Sequence, residues 1–86
     1  MEEGKITCNV LFFAAAAQAM GCREQEISVE RNATVGDVFD ELVETSEQLA
    51  SLSSSCALAV DGQIAPRESA LQDGCTIAIL PPVSGG

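Results

Sequence analysis

The chain has 86 residues, 47% hydrophobic but only 3% aromatic, and a net charge of −9 from 13 acidic side chains against four basic ones. That size allows one domain, burying only about 60% of the surface its unfolded chain exposes, and that composition is globular rather than disordered. The charge repels a nucleic-acid backbone and suits a basic protein surface. No apolar run reaches the roughly 20 residues of a membrane span, and the acidic start Met1-Glu2-Glu3 does not fit a signal peptide, so a soluble, cytosolic protein is expected.

From Lys5 to Phe13 (KITCNVLFF), Ile6, Cys8, Val10 and Phe12 fall on one face of a first strand, and Thr7, Asn9, Leu11 and Phe13 on the other. Leu11 and Phe13 thus place two large apolar groups on an otherwise polar face, which calls for a partner. Ala14 to Met20 (AAAAQAM) predicts a short helix stopped by Gly21. Glu24 to Glu30 alternates again, with Ile27 and Val29 inward, and predicts a second strand antiparallel to the first. Thr34, followed three residues on by Asp37, resembles a capping box ahead of Val35, Val38, Phe39, Leu42, Val43 and Leu49 at helical spacing. One long helix from Val35 to Leu49 is expected, with Asp40, Glu41, Glu44 and Glu47 on its wet side.

The stretch ASLSSSC then reads as a loop, CALAVDGQIA as a hairpin turning at Asp61-Gly62, and Asp73-Gly74 as a second turn into a last strand, Thr76 to Leu80. In that strand Ile77 and Ile79 face one way, Ala78 and Leu80 the other. The order β, α, β, α, β, β, β predicts an α+β fold, a mixed sheet of about four to five strands covered on one face by the long helix. The apolar first and last strands suit its centre.

Candidate chemistry within the domain is sparse. There is no His, and Cys8, Cys22, Cys56 and Cys75 are scattered without a C-x-x-C pair, which fits neither a zinc site nor a plant-type iron-sulfur loop. They read as small buried hydrophobes kept reduced, and no metal is expected. No nucleophile and base pair or phosphate-cradling glycine loop stands out. The ending ILPPVSGG is different. Pro81 and Pro82 lack amide hydrogens, so ladder pairing is expected to stop there, separating a domain of residues 1–82 from a flexible tail of residues 83–86. Beyond Val83, the residues Ser84, Gly85 and Gly86 give about 10 Å of reach at about 3.3 Å per residue and almost no girth. They deliver the carboxylate of Gly86, ionised at neutral pH with a reference pKa of about 3.5. Such a group can attack the α-phosphate of ATP to form an acyl-adenylate, which a sulfur nucleophile then opens. Leu11, Phe13, Ile64, Ala78 and Leu80 would form an apolar docking patch beside the tail exit, unless a helix or loop covers them as core.

LFFA at Leu11 to Ala14 leading into a short helix and Gly21, LQDGCTIAILPP at Leu71 to Pro82, and the closing PPVSGG together resemble the small-subunit family of molybdopterin synthase. The resemblance implies a ubiquitin-like β-grasp fold and a sulfur carrier. An E1-like enzyme using ATP would adenylate Gly86, and sulfur transfer would leave a C-terminal thiocarboxylate (1-thioglycine). The tail, with Gly85, Ser84, Val83, Pro82 and Pro81 as contacts, would then enter the large synthase subunit in a heterotetramer of two small and two large subunits. There the sulfur would pass to cyclic pyranopterin monophosphate, the catalytic side chains belonging to the partner and no cofactor being bound permanently. Two features depart from the family pattern: Cys75 and Thr76 stand where acidic residues are frequent, and AAAAQA where the first helix often carries charge. Carriers for tRNA thiolation or thiamine synthesis also finish in Gly-Gly, but without this Pro-Pro-Val-Ser lead, and a ubiquitin-like protein modifier joined through Gly86 would use the same activation. A binding module with an incidental tail is a third reading.

Overall fold

The computed structural model describes residues 4–82. Alternation decides the first strand, β1 (Lys5–Phe12), in which Ile6, Cys8, Val10 and Phe12 are buried. β2 (Glu24–Glu30) pairs with it antiparallel, Ile6 opposite Val29 and Cys8 opposite Ile27, so both inward rows meet the same core. Between them α1 (Ala14–Met20) buries only Ala16 and ends at Gly21, whose N–H donates to Ala17 O and whose left-handed φ of 75° turns the chain out of the helix. That conformation costs an L side chain about 1–2 kcal/mol, and glycine avoids the penalty.

α2 (Val35–Glu44) begins as its sequence dictates. The Thr34 N–H donates to Asp37 Oδ2 at 3.0 Å, and the Asp37 N–H donates back to Thr34 Oγ1 at 3.2 Å. Val35, Val38, Phe39 and Leu42 are buried, while Asp37, Asp40, Glu41 and Glu44 are exposed.

The expected single helix from Val35 to Leu49 is instead two. α2 ends at Glu44 and α3 (Glu47–Leu52) starts anew, with Ser46 as its extended N-cap. The cause is local competition by hydroxyls. Thr45 Oγ1 donates to Leu42 O at 2.7 Å, and Ser46 Oγ accepts from the Leu49 N–H at 3.1 Å while donating to Ala19 O at 3.0 Å. Ala19 O is one of the carbonyls left unpaired at the end of α1, so the break satisfies groups on two helices at once. Apolar spacing survives the break, because Leu49 remains fully buried. A single 3₁₀ turn, Ser53–Ser55, takes part of the expected serine-rich loop.

β3 (Ala57–Val60) and β4 (Gln63–Ile64) form the expected hairpin. Asp61 at φ 52° and Gly62 at φ 86° give the mirror-image turn that matches strand twist. β5 (Thr76–Leu80) runs parallel to β1 and antiparallel to β3, giving the strand order β2-β1-β5-β3-β4. The first and last strands therefore lie side by side, flanked on both sides, in the mixed sheet of a β-grasp. The core sits between one sheet face and the helices, joining Val10, Ile77 and Ile79 to Val35, Val38, Phe39, Leu42 and Leu49. Among the described residues, no helix is long and apolar enough to cross a membrane.

Both Asp-Gly turns fasten the start of β5. The Asp61 carboxylate accepts from the Thr76 N–H at 2.9 Å, and the Asp73 carboxylate accepts from the Thr7 N–H at 2.8 Å.

Candidate functional site

Residues paired across neighbouring strands share a face, so register alone assembles the outer surface of the sheet. Leu11 of β1 is opposite Glu24 of β2 on one side and Ala78 of β5 on the other. Ala78 is opposite Ala59 of β3, and Ala59 is opposite Ile64 of β4. One row, Glu24, Leu11, Ala78, Ala59, Ile64, therefore crosses all five strands on the face away from the helices. A second row lies beside it, with Leu80 opposite Ala57. Phe13, one residue beyond β1 and still extended (φ −116°, ψ 148°), continues the alternation on the same face.

The exposures suit an unoccupied apolar surface. Ile64 is 70% exposed and Phe13 46%, the two large apolar side chains most open to solvent among the described residues. Leu11, Ala78 and Leu80 are half-buried. Neither α1 nor a loop covers these residues as core, which was the alternative.

Ala59 belongs to the row although sequence reasoning omitted it, and it is 6% exposed, closed in by its flanking strands. It was nevertheless findable. A two-residue turn at Asp61-Gly62 makes Val60 and Gln63 partners, and so brings Ala59 opposite Ile64. Two clefts bracket the surface. One, of about 480 Å³, is lined by Leu11, Phe13, Ala17, Arg23 and Glu24. The other, of about 500 Å³, adjoins Ala57, Ile64, Pro66 and Arg67. At the β2 end, Asn9 Nδ2 donates to Glu24 Oε2 at 2.7 Å and holds that carboxylate at the margin of the apolar row.

β5 stops at Leu80, and neither Pro81, half-buried, nor Pro82, exposed, is part of a strand. A proline has no N–H to extend the ladder, so the central strand releases the chain at the edge of the apolar rows. Val83, Ser84, Gly85 and Gly86 lie outside the described residues.

The cysteines divide into two kinds. Cys8 and Cys75 are buried, as expected, whereas Cys22 and Cys56 are only half-buried. Burial pushes the Cys8 thiol up to about 12, with further contributions from the Cys75 thiol beside it and the charges of Asp73 and Asp61. Burial also raises Cys56. Neither is an activated nucleophile, since activation requires a lowered pKa.

Among the described residues, the sheet thus presents an open apolar face, and its last strand ends at two prolines beside that face. The ThiS family model matches residues 10–86, which takes in β1 from Val10, every later element and the terminal glycines. The chain belongs to the ThiS family. Among its relatives, the molybdopterin synthase sulfur carrier subunit of Mycobacterium tuberculosis (strain ATCC 25618 / H37Rv) is 34% identical over 84 residues, covering 94% of this chain and 99% of that one. This ThiS-family chain also resembles solved structures. The crystal structure of SAMP1 from Haloferax volcanii matches with a TM-score of 0.81 and 30% identity, over 93% of this chain and 99% of that one. A complex of subunits 1 and 2 of molybdopterin-converting factor from Helicobacter pylori 26695 contains a chain of the same fold, with a TM-score of 0.68 and 23% identity over 94% of this chain and 100% of that one. The ThiS-family assignment and these likenesses bear out the β-grasp expectation, with five strands and a divided helix.

Proposed function

We propose that this protein is the sulfur carrier subunit of a molybdopterin synthase. One observation carries the reading. The central strand β5 ends at Pro81 and Pro82 beside an apolar surface spanning β1, β5, β3 and β4, and the sequence beyond them closes in Gly85-Gly86. The name of the mycobacterial relative supports the same function.

In this reading, an E1-like enzyme binds the apolar rows and places the Gly86 carboxylate against ATP. A carboxylate oxygen attacks the α-phosphorus, pyrophosphate leaves, and the resulting acyl-adenylate is opened by a sulfur donor with loss of AMP. The product is a thiocarboxylate at Gly86. The same surface then seats the protein on the large synthase subunit, as the complex of subunits 1 and 2 of molybdopterin-converting factor suggests. There the terminal sulfur passes to cyclic pyranopterin monophosphate, and two such transfers build the dithiolene. Reuse of one surface explains why it stays apolar and open, since each partner must be released after its step. The exposed carboxylates of α2 add long-range attraction toward basic partners.

Co-expression with the activating enzyme and a sulfur source, followed by intact mass measurement, tests the proposal. An oxygen-to-sulfur mass change located at Gly86 is expected. Its absence, together with activity that survives deletion of Gly86, would overturn it. Likeness to SAMP1, a small archaeal modifier protein, favours a second reading in which Gly86 is joined to lysines of target proteins. Covalent adducts of higher mass in cell extracts, lost on deletion of Gly86, would support that reading.

A further inference from the structure

We propose that Cys8 and Cys75 form a two-electron redox site that closes to an intramolecular disulfide. Their sulfurs lie 3.4 Å apart, both thiols are free, and both are buried. The residues are 67 positions apart in sequence, so this proximity is a product of the fold.

The backbone is already set for the bond. Asn9 pairs with Thr76 in the parallel β1–β5 ladder, which makes Cys8 and Cys75 the next neighbours along it. The Asn9 N–H donates to Cys75 O at 3.0 Å, and the Gly74 N–H donates to Thr7 O at 2.7 Å, so hydrogen bonds hold the two segments on either side of the thiols. Neighbouring strands are about 4.8 Å apart, inside the window of about 4.4–6.8 Å between α-carbons that a disulfide accepts. The sulfurs must close from 3.4 Å to a bond of about 2.05 Å.

The oxidant named here is a peroxide. One thiol gives up its proton, and its sulfur attacks the O–O bond, forming a sulfenic acid and releasing one water. The other sulfur then attacks the sulfenic sulfur, the S–O bond breaks, and a second water leaves. Two thiols thereby lose two electrons and two protons, and one peroxide becomes two waters. Burial slows the first step because little thiolate is available. It favours the second over further oxidation, because the partner sulfur is nearer than any second peroxide. The bond would staple the entry of β5 to the middle of β1, joining the two central strands at the end opposite the tail exit. The half-buried Cys22 and Cys56 take no part.

The test treats the full-length protein with hydrogen peroxide and maps its peptides without reduction. The expected result is a cross-link between the peptides holding Cys8 and Cys75, the loss of two hydrogens from the intact mass, and a fall in thiols titrated under denaturing conditions from four to two. The urea midpoint should rise, since the bond constrains a long loop of the unfolded chain. A Cys22→Ser/Cys56→Ser variant should form the same cross-link. Sulfinic or sulfonic acid at Cys8 or Cys75 without a cross-link would overturn the proposal, as would oxidation confined to Cys22 and Cys56. Cys8→Ala should abolish both the cross-link and the midpoint shift. Should that variant not fold, the wild-type peptide map decides alone.

Discussion

Ser46 Oγ donates to Ala19 O at 3.0 Å while accepting from the Leu49 N–H at 3.1 Å, so one hydroxyl ends α1 and begins α3. Ser46→Ala removes an N-cap and leaves a part-buried carbonyl unpaired. The two losses together predict destabilisation of about 1–2 kcal/mol, read as a lower urea midpoint at unchanged slope. Ser46 is distant from the outer face of the sheet, so affinity for a partner docked there should not change.

Gly36 opens α2 where the loop before Ala70 crosses it. Its N–H donates to Arg67 O at 2.9 Å, and a methyl group built on it would stand 2.8 Å from Arg67 Cβ and 3.0 Å from Arg67 O. Neither the Arg67 Cβ nor its carbonyl oxygen moves when that side chain rotates, so relief requires a backbone shift. Gly36→Ala is therefore expected to cost about 1–3 kcal/mol despite the better helix propensity of alanine. Chemical denaturation of the variant measures it. The exposed ion pair of Arg67 and Asp40 at 2.7 Å spans the same junction, and Arg67→Ala should cost no more than about 1 kcal/mol.

Much of this architecture could be read in advance, because the informative signals were local. Alternation from Ile6 to Phe12, the Thr34 and Asp37 capping box, and the two Asp-Gly turns each specify structure through a few neighbouring residues. The helix break was not legible. Leu49 keeps the helical period across it, whereas the hydroxyl of Ser46 acts through Ala19, 27 positions away. Ala59 was missed for a related reason: alanine carries little hydrophobic signal, and its place follows from pairing with Ile64 and Ala78. The proximity of Cys8 and Cys75 likewise needs the parallel β1–β5 pairing, which no local pattern announces.

Ala14 is the first residue of α1 and has φ 51°, in the left-handed region. There an L side chain costs about 1–2 kcal/mol, which glycine would not incur. Elsewhere in a helix the same exchange costs about 1 kcal/mol in propensity. Ala14→Gly should therefore be neutral or mildly stabilising while Ala17→Gly destabilises, and a paired thermal unfolding experiment would reveal the opposite signs.

Alkaline pH should weaken the fold through the buried Cys8 thiol. The Cys8 thiol moves from an ordinary 9.0 to about 12 in the folded state, chiefly because burial disfavours its thiolate. The folded state thus retains a proton that the unfolded state releases. This contribution is complete below about pH 9 and is lost as pH rises toward 12. The chain has no Tyr and one lysine, Lys5, and comparison with Cys8→Ala separates the Cys8 contribution from that of every other group. Urea midpoints should fall across that interval in reducing buffer and fall less in Cys8→Ala.

The apolar rows make the most direct functional prediction. Ile64, 70% exposed, has little packing to lose, so Ile64→Asp should leave stability within about 0.5 kcal/mol of wild type, whereas Phe13, 46% exposed, gives up half-buried apolar surface and Phe13→Asp should cost about 1 kcal/mol. Each places a charge on a surface that must be desolvated when a partner covers it. Binding to the large synthase subunit should weaken at least tenfold, about 1.4 kcal/mol or more. Ala78→Asp would place its charge at the centre of the row, between Leu11 and Ala59, and should weaken binding further at some cost in stability. Titration calorimetry beside chemical denaturation separates the two effects. If Ile64→Asp and Phe13→Asp fold normally and bind as wild type does, the partner docks elsewhere and the outer face of the sheet is not the recognition surface.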